Sequence, residues 1–316
     1  MSKPYPQCIH TAEALKQLQS SSLKQKIFET RLRVAEWYEY WEGQVYVAFS
    51  GGKDSTVLLD IVRRDYPDVP AVFCNTGLEF PEILSFVKTI SNVTWLKPAM
   101  TFKAVLEKYG YPVISKNTAM RISRLRNPDI SPRHKAILMG EIMGDGRKSR
   151  YRLADKWKYL IPAPFKISER CCDVMKKQPS KQYEKKTGRR PFVGMMAIDS
   201  KQRQEGYERT GCNAYEIGRP MSMPLAFWME SDIWEYIRTK DIPYSSIYDM
   251  GYDRTGCVFC AFGAHMEGDC NRFQRMKKTH PKLHTYCMDK LGMKEVLDFC
   301  HIPAEPGPEQ LELGLE

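Results

Sequence analysis

Several landmarks are missing from these 316 residues. No apolar run approaches the roughly 18 residues that a spanning helix needs, so a membrane-spanning protein is not expected. The opening stretch MSKPYPQCIHTAEALKQ has no apolar core of the kind a secretory leader carries. Together these predict a cytoplasmic protein with no membrane partner. There is no internal repeat. No Walker A spacing and no Gly-x-Gly-x-x-Gly fingerprint is present. Acidic residues are scarce in one region: residues 121–160 hold 11 Lys/Arg against 4 Asp/Glu, and residues 161–190 hold 9 against 3. These 70 residues carry +13 in a chain of net charge +10, so the remainder is slightly acidic.

What is present is ordinary in bulk. Hydrophobic residues make up 42% and charged residues 27%, a globular balance. At about 150 residues per domain, the length accommodates one large domain or two smaller ones. A reducing compartment leaves the ten cysteines unpaired. Cys74, inside an apolar run, reads as a small buried hydrophobe. The basic stretch contains Tyr151, Trp157 and Tyr159 among its charges, a mixture that points to DNA or tRNA as a partner. A solvated basic face is the plainer reading of such a run.

The apolar pattern predicts helices over 11–41 with a break at Ser20–Ser22, then strands at Val45–Phe49, Ala71–Cys74 and Val93–Leu96. Helices at Thr56–Arg64 and Glu82–Ile90 alternate with them. This rhythm implies a parallel sheet with crossover helices. Residues 115–170 interrupt it with short helices and Pro-rich punctuation. A strand follows at Pro191–Ala197, then a helix at Ser231–Arg238 with Ser231 as its cap. Residues 270–299 are helical with a break at His280–Pro281, and the acidic tail from Pro303 is expected to be mobile. The division is an N-terminal helical segment (1–42), an α/β domain (43–262) with a basic insertion (115–170), and a C-terminal helical extension (263–316).

Between the first strand and its helix lies Ser50-Gly51-Gly52-Lys53-Asp54-Ser55. Two glycines let backbone N–H groups approach an anion, and a helix N-terminus adds partial positive charge. Ser50, Lys53 and Ser55 add donors. Asp54 is out of place beside phosphate unless it caps the helix or holds Mg²⁺. This stretch resembles the pyrophosphate loop of the adenine nucleotide alpha-hydrolase superfamily. Asn75-Thr76-Gly77-Leu78-Glu79-Phe80-Pro81-Glu82 resembles the Asp-Thr-Gly-x-x-Phe-Pro-Glu of sulfonucleotide reductases and sulfate adenylyltransferases, with Asn75 in place of Asp. Residues 224–260, ending in Gly-Cys-Val-Phe-Cys, resemble the matching reductase stretch. The family is therefore identified by resemblance as the phosphoadenylyl-sulfate/adenylyl-sulfate reductases. It implies a Rossmann-like α/β fold and an adenine nucleotide, either ATP or an adenylyl sulfate. The contacts it implies come from Ser50 to Ser55, Thr76, Gly77, Phe80, Glu82 and Arg203, with Lys53 and Asp54 also catalytic.

Cys257-x-x-Cys260 alone fits half a zinc site, a redox pair or part of an iron–sulfur site. Joined to Cys171-Cys172, 85 residues before it, it resembles the [4Fe–4S] ligand set of adenylyl-sulfate reductases, with zinc the alternative. Cys270 is a substitute ligand, and His265 reads as an exposed loop residue. Lys176 and Lys177 either offset negative charge at the cysteines or form a solvated face.

Two features depart from the reductases. The C-terminal Glu-Cys-Gly-Ile/Leu-His motif has no counterpart, the nearest being Phe299-Cys300-His301-Ile302. A Cys beside a His can be an activated thiolate, which makes Cys300 a candidate nucleophile. Where Gly-Leu/Met-Arg is expected, the chain has Gly194-Met195-Met196, so an anion-clamping arginine is lost. An enzyme of sulfur chemistry is the expectation. One form reduces a sulfonucleotide to sulfite with a thioredoxin-like partner. The alternative is an ATP-dependent sulfur transferase acting on DNA or tRNA with a sulfur-donor protein. An iron–sulfur nucleotide or nucleic-acid binding module is a third reading.

Overall fold

Val45, Tyr46, Val47 and Phe49 are all buried, so both faces of their strand are covered. That is the mark of a central strand in a parallel sheet. The computed structural model describes residues 10–141, 147–268 and 270–306. The expected mobile tail lies, from 307 on, outside the described residues. The strands are β1 (Val45–Phe49), β2 (Ala71–Cys74), β3 (Val93–Leu96), β4 (Val113–Ile114), β5 (Arg190–Val193), β6 (Asn213–Ala214), β7 (Met221–Ser222) and β8 (Ala261–Phe262). Two compact units interleave along the sequence. Unit 1 takes the described residues of Met1–Asn75, Phe80–Lys97 and Pro179–Thr255, and unit 2 those of Thr76–Glu79, Pro98–Gln178 and Gly256–Glu316.

Unit 1 is the expected α/β fold. Its six-stranded sheet runs β3-β2-β1-β5-β7-β6, parallel except for the β6–β7 pair. Val47 sits opposite Ala71 on one side and Phe192 on the other. From β1 the sheet grows toward β2 and β3 in one direction and toward β5 in the other. The order therefore reverses at β1, and ligands of open α/β sheets bind at the carboxyl ends of strands at such a switch point. Helix Lys53–Asp65 buries Val57, Leu58, Ile61 and Val62 behind β1. The N-terminal helices are Ala12–Ser20 and Leu23–Tyr40. They break as expected: the Ser22 hydroxyl accepts from the Gln25 backbone N–H at 3.3 Å, and the Gln25 side chain accepts from the Ser22 N–H at 3.1 Å. A charged pair, Lys26 and Asp232, lies buried at 2.6 Å.

Four local expectations are corrected. The first crossover helix starts at Lys53 rather than Thr56, because the glycine turn leads straight into it. The strand at 191–197 ends at Val193, and Ala197–Asp199 forms a 3-10 turn. Helix Glu230–Lys240 is capped by Asp232, which accepts from the Met229 N–H at 2.6 Å, so Ser231 is not its cap. Cys74 is half-buried rather than buried.

Unit 2 contains the basic insertion, the β4–β8 parallel pair and the C-terminal helices. The insertion has short helices at Lys116–Leu125 and Pro132–Met139. Arg126 organises its Pro-rich loop by donating to the carbonyls of Leu160, Ile161, Ala163 and Phe165 at 2.5–2.8 Å. At the C-terminal end the break at His280–Pro281 separates helix Arg272–Thr279 from Pro281–Thr285, as expected. A second break, at left-handed Gly292, precedes helix Met293–Phe299. Among the described residues no helix is long and apolar enough to cross a membrane.

Candidate functional site

The glycine turn of unit 1 is fixed by packing. Gly51 has φ +74°, and a Cβ there would meet Val87 Cγ2 at 2.8 Å and Ile83 Cγ2 at 2.9 Å. A Cβ on Gly52 would meet the Thr255 Oγ1 at 2.6 Å. The Ser55 hydroxyl accepts from the Ser50 N–H at 3.1 Å and donates to the Gly52 carbonyl at 2.9 Å, so both serines brace the turn. After β5, a Cβ on Gly194 would lie 3.1 Å from the Asp54 carbonyl oxygen, so the end of β5 meets the first turn of helix Lys53–Asp65 through bare backbone.

Lys53 is buried. Its N–H donates to the Tyr248 hydroxyl at 2.8 Å, and its Nζ reaches the Asp253 carbonyl and Glu230 Oε1, both at 3.1 Å. Burial pulls this ammonium down, but the charges of Asp54, Tyr248 and Glu230 outweigh it and hold it above the usual lysine range. Asp54 lies 3.6 Å from the Lys53 Nζ. Burial first, then Asp199 and Glu230, raise its carboxyl against the pull of Lys53. Its Oδ1 is buried without a hydrogen-bond partner among the described residues. Phe80 packs on Tyr252 with ring centroids 4.7 Å apart, and Glu82 is half-buried in the first turn of helix Pro81–Thr89. Arg203 donates to Asp199. The residues that sequence reading missed are Glu230, Tyr248, Asp253, Arg254 and Thr255. All five lie within residues 224–260, the stretch that resembles the reductases, but nothing in the local pattern marks them as partners of the glycine turn.

Thr76 and Gly77 belong to unit 2. There the Glu79 carboxylate accepts from the Thr76 hydroxyl at 2.6 Å, the Thr76 N–H at 3.1 Å and the Leu78 N–H at 3.2 Å. Glu79 also acts on Cys257 and Lys176 through its charge. The thiols of Cys171 and Cys172 lie 4.0 Å apart. The Cys172 thiol, hydrogen-bonded to Cys171 and facing Lys116 and Lys176, is lowered, while Cys171 rises through the same hydrogen bond, burial and the charges of Cys172, Cys260 and Cys257. Burial raises Cys257 against Lys176, and pushes Cys260 up to about 12. The four expected cysteines therefore act on one another electrostatically. Lys176 is raised by Cys257 above all, whereas Lys177 pairs with Asp173 at 2.8 Å on an exposed face. Cys270 sits 4.0 Å from the Asn271 carbonyl oxygen. Among the described residues no three His, Cys, Asp or Glu side chains converge as ligands of a single metal ion.

Two further expectations are corrected in unit 2. His265 is half-buried, edge-on to Trp157 at 5.1 Å, because the 264–266 turn folds it against the insertion. Cys300 is buried, and burial pushes its thiol up to about 12. His301 instead lies against Tyr159, with ring centroids 5.6 Å apart. At neutral pH this thiol is protonated, the reverse of the activation expected from its neighbour in sequence.

Comparison with known proteins decides the family. The phosphoadenosine phosphosulfate reductase domain model matches residues 44–120 and 146–262. The chain belongs to this family. Its reductase-domain match takes in the glycine turn, the Thr76–Glu79 turn and all four clustered cysteines. Among curated relatives, the uncharacterized protein MJ0973 of Methanocaldococcus jannaschii is 26% identical over 269 residues, covering 82% of this chain and 51% of that protein. With a second protein of that organism, MJ0066, the share of the relative is 41%, so the chain spans about half the length of the first curated relatives it matches. The adenosine 5′-phosphosulfate reductase of Staphylococcus epidermidis is 23% identical over 265 residues, covering 79% of this chain and 85% of that enzyme. Among solved structures, the phosphoadenylyl-sulfate reductase of Candida auris gives a TM-score of 0.42 at 15% identity, covering 78% of this chain and 95% of that one.

Proposed function

We propose that this reductase-family chain binds an adenine nucleotide with its phosphates on the Ser50–Ser55 turn and reduces a sulfonucleotide. The observation that carries the reading is the turn itself: bare backbone at Gly51, Gly52 and Gly194, at the sheet's switch point, beside the buried Lys53 ammonium. The bond between sulfur and the bridging oxygen breaks, and the nucleotide phosphate keeps that oxygen. The sulfur gains two electrons and leaves as sulfite. A dithiol on a thioredoxin-like partner supplies the electrons, becomes a disulfide and releases two protons. Burial and its raised pKa argue against Cys300 as the attacking thiol.

Cys171, Cys172, Cys257 and Cys260 would hold a [4Fe–4S] cluster. Four soft thiols beside the Lys176 ammonium fit such a group, and zinc takes the same donors. When bound, a cluster supplies redox and electrostatic chemistry. Iron and acid-labile sulfide in anaerobically purified protein support this assignment, and stoichiometric zinc without iron overturns it.

A second reading is favoured by the basic insertion. There Arg150 lies over the ring of exposed Tyr151 at 5.9 Å and Lys156 over Trp157 at 4.9 Å, cation–aromatic pairs of the kind that stack bases. In it, ATP adenylates an acceptor oxygen on DNA or tRNA with loss of pyrophosphate, and sulfide-level sulfur from a donor protein then displaces AMP, which carries that oxygen away. Asp54, whose buried Oδ1 has no hydrogen-bond partner among the described residues and lies 3.6 Å from the Lys53 ammonium, would hold Mg²⁺. Parallel incubations separate the two. Sulfite from adenylyl sulfate and a dithiol supports the first reading. Pyrophosphate that appears only with ATP, Mg²⁺ and nucleic acid replaces it by the second.

A further inference from the structure

Met196 stands where the family resemblance calls for an arginine, and it is 3% exposed, a core residue that offers no charge. Guanidinium groups reach the same region from elsewhere in unit 1. Asp199, three residues on, accepts from Arg203 through Oδ2 and from Arg254 Nη2 through Oδ1 at 3.2 Å. Both chain neighbours of Arg254 touch the glycine turn. The Asp253 carbonyl takes the Lys53 ammonium at 3.1 Å, and the Thr255 Oγ1 fills the space a Gly52 Cβ would need. The backbone of Arg254 is thus anchored on both sides. Its side chain is 71% exposed, and its hydrogen bond is the one to Asp199. The contacts of Asp253 and Thr255 place Arg254, and with it the Asp199-held pair, beside the turn, and the charge of Asp199 is felt by Asp54.

We propose that Arg254, together with Arg203, binds the terminal anionic group of the nucleotide, sulfuryl or phosphoryl, in place of the arginine lost at Met196. Asp199 holds both guanidinium groups ready, and the incoming group's oxygens take over its hydrogen bond to Arg254. A tetrahedral oxyanion presents several acceptors, which suits two planar forks better than one carboxylate does. This deepens the nucleotide reading above and rests on it.

The test is calorimetric titration of AMP, adenylyl sulfate and ATP with Mg²⁺ into the wild-type protein, Arg254→Ala and Arg254→Lys at one salt concentration. Arg254→Ala is expected to weaken the ligand that carries the terminal group by about 10- to 100-fold, and AMP by no more than about 2-fold. Arg254→Lys is expected to recover only part of the loss, since an ammonium lacks the fork. A loss confined to adenylyl sulfate assigns a sulfuryl group, and one confined to ATP a phosphoryl group. Unchanged affinities in Arg254→Ala, or an equal loss for all three ligands, overturn the clamp while leaving the nucleotide reading intact. A wild-type protein that binds none of the three overturns the nucleotide reading and the clamp together. Thermal melting of the ligand-free variants is expected to match the wild type, because the side chain is exposed.

Discussion

The two motif turns carry a glycine at nearly the same left-handed angle, φ +74° at Gly51 in unit 1 and +73° at Gly77 in unit 2. Their surroundings are opposite. Val87 and Ile83 stand within 3 Å of the place a Gly51 Cβ would take, whereas nothing lies within 4 Å of that place at Gly77. The first turn buries both its glycines and is pressed against packed side chains, so its backbone is set by the core. The second is shaped by a carboxylate of its own, Glu79, which gathers two N–H groups and a hydroxyl. A turn set by packing tolerates a carboxylate that does not support it, and Asp54 is such a group. A turn set by a carboxylate depends on that side chain.

The largest effect comes from adding a methyl to each glycine. Gly51→Ala combines left-handed strain with overpacking and is expected to cost about 2–5 kcal/mol in urea unfolding. Gly77→Ala carries the strain alone, about 1–2 kcal/mol. Equal losses would erase the contrast. Next comes Glu79→Gln, which leaves the turn fewer acceptor sites and is expected to destabilise by about 1 kcal/mol. The smallest effect has the opposite sign. Burial raises the Asp54 carboxyl, so its contribution to stability is whole below the ordinary value of 3.8 and is lost as pH rises through its higher folded value. Asp54→Asn is therefore expected to stabilise the ligand-free protein at pH 7 by about 0.5–1 kcal/mol, the usual direction at a functional site. The gain should vanish below pH 3.8. A loss of stability in Asp54→Asn at pH 7 would mean that the carboxylate supports its turn as Glu79 does.

Much of unit 1 was legible because its signals are local. The apolar runs at β1, β2 and β3, the serine break at Ser20–Ser22 and the glycine turn each declare themselves within a few residues. The partners of that turn do not. Tyr248, Asp253 and Thr255 meet Gly52 and Lys53 from about 200 residues away, and only the folded chain brings them there. Burial was equally hidden. Cys300 beside His301 reads as a reactive pair, yet the fold buries the thiol and turns the imidazole toward Tyr159. In the basic insertion charge proved a poor guide to role, since Arg126 spends its guanidinium on four carbonyls of its own unit.

The pairing of β1 with β5 has a consequence for synthesis. β1 is complete at Phe49, and β2 can join it soon after. The strand on its other side begins at Arg190. At ribosomal rates of about 5–20 residues per second, that edge waits on the order of ten seconds for its partner. During this interval the largely apolar β1 has one unpaired edge, while the chain that emerges includes the strongly basic insertion. Like charges on neighbouring nascent chains repel, so the segment that delays closure of the sheet also keeps its open edges apart.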